Sequence, residues 1–120
     1  MPKPILISNN MQTSYFAKSA GHPLAVSIAG KAPAGFSGRV YKKLAPKFWF
    51  YQKYKVDGDE VFYTEQYYKE VLALLNPKEV YEELGEEAVL LCWEGKGKFC
   101  HRRLIAEWLE KNLGIQIKEL

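Results

Sequence analysis

The first 56 residues contain no aspartate or glutamate. They carry eight lysines and one arginine, a balance of +9, whereas residues 57–120 carry 14 acids against eight bases, a balance of −6. Folding interleaves two such halves, yet a segment this one-sided tends to leave a positive potential on the surface. Cysteine is scarce as well. Two in 120 residues exclude a disulfide-stapled miniprotein. No apolar run approaches the roughly 18–20 residues that span a bilayer, so no membrane partner is expected. The opening Met1 to Asn10 has an apolar run of only three residues, Ile5-Leu6-Ile7, and is not read as a secretory signal. A cytoplasmic protein with reduced thiols is the expectation. Low-complexity tracts and internal repeats are missing. The 48% hydrophobic and 26% charged content that remains fits one globular domain over residues 1–120.

Ile5-Leu6-Ile7 and Leu24 to Ala29 read as strands, with a short helix from Thr13 to Ser19 between them. Gly30 to Pro46 is rich in glycine and proline and reads as a long ordered loop, a kind of segment more often functional than idle. Lys47 to Tyr54 reads as a short helix and Val56 to Glu60 as a turn. Thr64 is expected to cap a helix whose apolar positions Tyr67, Tyr68, Val71, Leu72 and Leu75 fall at helical spacing. Asn76-Pro77 with Glu79 is a strong start signal for the next helix, which Gly85 stops. Ala88 to Trp93 is apolar throughout, as a strand buried on both faces is. A helix from about His101 to Leu113 closes at Gly114, and Ile115 to Lys118 is expected as a last strand. Strand and helix alternate. The fold class is therefore α/β: a small, mainly parallel sheet of three to five strands with helices on both faces, Rossmann-like.

In such sheets ligands bind beyond the carboxyl ends of the strands. The segment from Cys92 to Arg103 leaves the most buried strand and enters a helix start, where free N–H groups and a partial positive charge favour an anion. Gly95, Lys96, Gly97 and Lys98 let backbone and ammonium groups approach it. Arg102 and Arg103 stand in the first helical turn, where the macrodipole opposes cations by roughly 0.3–1 kcal/mol each, as though an anion were to be met there. The plain alternative pairs Arg103 with Glu107 one turn on, and Arg102 with an acid elsewhere. Neither a Walker sequence nor Cys-x5-Arg is present, since Lys98 holds the sixth position after Cys92. Cys100, beside His101 and two arginines at a helix start, is a candidate nucleophile with a lowered pKa. Its plain alternative is a packed structural thiol. Cys92 reads as core, and a Cys92–Cys100 disulfide as at most transient. Glu94 is a candidate acid/base. Adjacent Cys100 and His101 should diverge on a helix, and no Cys-x2-Cys or His-x3-His pair exists, so neither metal nor cofactor is expected.

A second candidate surface is the basic, aromatic stretch 39–55. Lys42, Lys43 and Lys47 can follow phosphates, and Trp49 can stack on a base. The plain alternative has these aromatics covering the core while the lysines reach into water.

Leu90-Leu91-Cys92-Trp93-Glu94, a short basic loop and Cys100-His101-Arg102-Arg103-Leu104-Ile105 opening a helix resemble the domain-of-unknown-function 488 family. Asn76 to Val80 and Leu44-Ala45-Pro46 look like it too. The resemblance implies site roles for Cys92, Glu94, Cys100, His101 and Arg102. Many relatives carry Asp-x-Arg at the end of the second strand, where this chain has Ser27-Ile28-Ala29-Gly30. That difference argues against an acid-dependent reaction and for a divergent subgroup. The expected function is binding of a phosphate-bearing ligand, a nucleotide or nucleic acid, at the crevice of residues 94–103, with thiol-dependent catalysis as an extension. Cys100 and Glu94 would be catalytic, and Cys92, Lys96, Lys98, His101, Arg102 and Arg103 would bind substrate. A non-catalytic nucleic-acid-binding module using residues 39–55 is the rival.

Overall fold

The structure, a computed structural model, describes residues 9–95 and 97–120. The chain runs β1 (Gln12–Tyr15), α1 (Phe16–Ser19), β2 (Ala25–Ser27), β3 (Arg39–Val40), α2 (Phe48–Asp57), α3 (Glu60–Glu70), α4 (Pro77–Leu84), β4 (Val89–Cys92), α5 (His101–Leu113) and β5 (Lys118–Glu119). The five strands form one all-parallel sheet in the order β3-β2-β4-β1-β5. The apolar run becomes the middle strand, as its composition demands: Val89, Leu90, Leu91 and Cys92 are each at most 1% exposed.

Side chains alternate across β4. Leu90 and Cys92 join the larger core beneath α3, α4 and α5, with Phe50, Tyr67, Leu84, Ile105 and Leu109. Val89 and Leu91 face the smaller one, with Phe16 of α1, Ala25 and Ala29. Each fully buried Leu, Ile or Phe contributes roughly 1.5–3 kcal/mol, so the larger core dominates the stability. Gly38 lets the loop before β3 pass close to β2: a Cβ there would lie 2.8 Å from the Ala25 carbonyl oxygen.

The strong local signals produce the expected elements. The Asn76 side chain accepts from the Lys78 and Glu79 amides, with Pro77 in the first turn of α4. Gly114 takes φ 67° at the end of α5. Other expectations shift. Thr13 begins no helix, because residues 12–15 pair with β4 and β5, and only Phe16–Ser19 are helical. The helix expected from Thr64 starts at Glu60, since the Asp59 carboxylate accepts from the Phe62 amide. The turn expected at 56–60 shrinks, because α2 runs to Asp57 and Gly58 ends it at φ 64°. The last strand is Lys118–Glu119 rather than 115–118. A short strand, β3, lies inside the expected loop. The strand expected at Ile5-Leu6-Ile7 lies outside the described residues. No helix among the described residues is long and apolar enough to cross a membrane.

Candidate functional site

Beyond the carboxyl ends of β2 and β4 lies a cavity of about 350 Å³. Its floor is Cys92, the last residue of β4, with Cys100 and His101 at the start of α5. One wall is Trp93, Glu94 and Phe99 from the connecting loop, and another is Ala29, Gly30 and Lys31 after β2. The roof is Pro46 with Phe48, Tyr51 and Tyr54 of α2 and Tyr63 of α3. The two regions that the sequence marks separately, residues 39–55 and 92–103, thus meet around one space.

The floor is built by the N-cap of α5. Cys100 is extended (φ −156°, ψ 148°), which turns its sulfur back toward the next side chain. The divergence expected of Cys100 and His101 therefore does not occur, and Sγ lies 3.7 Å from His101 Nδ1. His101 Nε2 is 2.7 Å from the Ile28 carbonyl oxygen. A carbonyl can only accept, so Nε2 carries the hydrogen and Nδ1 presents its lone pair. Burial pushes the imidazole down to about 4, the Ile28 bond opposes this and the Arg102 charge adds to it, so the ring is neutral at pH 7. Cys92 and Cys100 are joined as a disulfide. The expectation of Cys100 as a free thiolate is corrected accordingly, and so is the reading of Cys92 as core alone. The cation beside sulfur also differs from expectation: Arg102 Nη1 donates to Cys92 Sγ at 2.9 Å.

The two arginines behave unlike the anion clamp read from sequence. Neither lines the cavity. Arg102 is 1% exposed. Its Nε and Nη2 donate to the Glu119 carboxylate at 3.1 and 2.9 Å, and Nη1 to the Glu94 carbonyl at 2.6 Å as well as to Cys92. Nη2 also donates to the Gly95 carbonyl at 3.1 Å. A guanidinium has five N–H donors, and these bonds use all of them. Arg103 Nη1 donates to Thr13 Oγ1 at 2.9 Å and to the Ile117 carbonyl at 3.1 Å, not to Glu107. The anion that offsets the helix dipole is thus the chain's own Glu119. Burial alone would raise the Glu119 carboxyl, but bonds from Arg102 and Thr13 and the charges of both arginines hold it below its usual range.

Glu94 lines the cavity. Its charge is felt at Tyr63, whose phenol is pushed above its ordinary value first by burial and then by Glu94. Lys98 is exposed and does not line the cavity, and Lys96 lies outside the described residues. On the basic stretch, Lys43 pairs with Glu83 at 3.1 Å, and Trp49 Nε1 donates to Glu70 at 3.2 Å. Lys42 and Lys47 are exposed. Within this stretch Phe50 is core, whereas Phe48 is 70% and Trp49 50% exposed. Sequence reasoning missed Lys31, Tyr51, Tyr54, Tyr63 and Phe99 as cavity residues. The aromatic spacing of 48–54 was the available signal for two of them, and for Lys31 there was none.

Fold and site define a class: a small parallel α/β domain with a sulfur and imidazole floor beneath an aromatic cavity. The chain belongs to the DUF488 family, since the model of the group DUF488-N3a, described as the active DUF488-N3 subclade, matches residues 15–113. No curated protein and no solved structure matches the chain.

Proposed function

We propose that the protein binds a nucleotide, free or at the end of a nucleic acid, with its base in the aromatic cavity and its phosphate toward the basic rim. The observation that carries this reading is the shared cavity: Phe48, Tyr51 and Tyr54 stand over the same space as Trp93, Glu94 and the Cys92–Cys100–His101 floor. Planar bases stack on aromatic rings at roughly 1–3 kcal/mol each, and a cavity of this size is of the order that small ligands occupy. Lys31 on the wall and exposed Lys47 at the start of α2 offer the phosphate its cations, since Arg102 has spent its donors and Arg103 does not line the cavity.

The chemistry is thiol-dependent in the sense that it requires both sulfurs reduced. A cytoplasmic setting would keep them so. Glu94 is the acid/base at the wall. The description of the matching subclade as active accords with an enzyme.

Titration of the reduced chain with mononucleotides, followed by calorimetry, tests the reading. Saturable binding that weakens about tenfold in Tyr51→Ala is expected. No heat with any common mononucleotide or short single-stranded oligonucleotide would overturn it.

Exposure of Phe48 and Trp49 beside Lys42 and Lys47 favours one rival, a nucleic-acid-binding module acting through this outer surface. It requires oligonucleotide affinity that falls steeply with salt and persists when the cavity floor is changed.

A further inference from the structure

We infer that, in the dithiol form, Cys92, Cys100 and His101 hold one zinc ion whose fourth position opens into the cavity. The three donor atoms lie within 4.8 Å of one another and all three residues are buried. Two sulfurs and one imidazole nitrogen are a donor set suited to zinc, and three protein ligands with one open position is the arrangement of catalytic rather than structural zinc.

The surroundings are those of ligands. A zinc-binding imidazole commonly donates its other N–H to a carbonyl, which fixes both tautomer and ring plane. His101 does this to Ile28 and leaves Nδ1 for the ion. The Arg102 guanidinium, 2.9 Å from Cys92 Sγ, would face the negative sulfur of a zinc-bound Cys92. The Cys92 and Cys100 Cα atoms are 7.2 Å apart, just beyond the usual span of about 4.4–6.8 Å for directly bonded cysteines. An ion at about 2.3 Å from each sulfur needs them roughly 3.8 Å apart at a tetrahedral angle, so the backbone has room for it.

The structure records the oxidised pair, which offers no thiolate. Reaching the metal-binding form takes a dithiol or phosphine reductant. It supplies two electrons to the sulfur–sulfur bond, is itself oxidised, and two protons complete the thiols. Zinc then displaces those two protons to solvent as two Zn–S bonds form. The open position would hold water acidified by the metal, with Glu94 on the same cavity as a proton acceptor. What that water attacks rests on the nucleotide reading. Ion binding does not.

The test uses the full chain, reduced with a phosphine under argon and titrated with Co²⁺ alone, then with Zn²⁺. Expected are one ion per chain, a thiolate-to-cobalt charge-transfer band with tetrahedral d–d bands, and loss of these bands on adding Zn²⁺. Cys100→Ser should bind about 100-fold more weakly or worse, a larger loss than outer-shell changes cause. The oxidised wild-type chain, folded and unaltered in sequence, should bind none. A reduced chain that shows no cobalt bands and leaves both thiols open to a disulfide reagent in stoichiometric Zn²⁺ would overturn the site. Mononucleotide titration on the same samples separates the two ideas, since ion binding without nucleotide binding overturns the nucleotide reading alone.

Discussion

Four consecutive residues at the start of α5 have opposite fates. Cys100 and His101 line the cavity. Arg102 and Arg103 turn toward the β1–β5 edge, where Glu119, Thr13 and the carbonyls of Glu94, Gly95 and Ile117 take their donors. The arginines carry the most conspicuous charge in the segment, yet Arg102 has no donor left to offer a guest, and Arg103 does not line the cavity. Chemical availability is set by how many partners the fold already supplies. Residue type alone does not set it.

The sharpest way to break this contrast is Arg102→Met. It removes the guanidinium bonds of the Glu119 carboxylate, which keeps only Thr13 and the nearby Arg103 charge, and the donors of two loop carbonyls; removing one partner of a buried ion pair costs up to roughly 3–5 kcal/mol. Against a typical total of about 5–15 kcal/mol, the urea midpoint should fall far, or the chain should fail to fold. A midpoint within experimental scatter of wild type would show the arginine side to be dispensable. Phe48→Ala probes the other side. Phe48 is 70% exposed, so the urea midpoint should barely move. Nucleotide affinity should nonetheless fall about tenfold, or roughly 1.4 kcal/mol. Equal affinity would remove α2 from the site.

Arg103→Ala should lower stability by about 1–2 kcal/mol, because Thr13 and the Ile117 carbonyl lose a charged donor. Nucleotide binding should be unchanged, and a matching loss of affinity would place Arg103 at the ligand after all. The smallest effect is one of pH. Glu119 has a folded pKa below its unfolded value of 4.5. Its contribution is therefore complete at neutral pH and is lost as pH falls below 4.5 through the folded value. Glu119→Gln should flatten the acid limb of a stability–pH curve over that window. An unchanged acid limb would mean that the pair with Arg102 does not stabilise the ionised form.

The parts of the fold that were legible in advance carry their information locally. Asn76-Pro77, Gly114 and the apolar run of β4 each fix a cap, a stop or a buried strand within a few residues. β1 was not legible, because Thr13 and Ser14 look like surface residues. Both are fully buried, and the hydroxyl groups meet partners far off or across a turn: Thr13 with Glu119 and Arg103, Ser14 with Ser19 at 2.7 Å. β3 and β5 are two residues each and exist only through their neighbours' hydrogen bonds.

The chain alone determined the α/β class, the buried central strand, and the presence of sulfur, imidazole and a carboxylate after it. Those follow from periodicity and from short-range capping, which act over one or two turns. Tertiary structure decided the rest: that Cys92 and Cys100 meet, that α2 covers them, and that Glu119 claims Arg102 from 17 residues away. Pairings of this kind depend on which strands lie side by side, and strand order is a long-range property that no local spacing encodes.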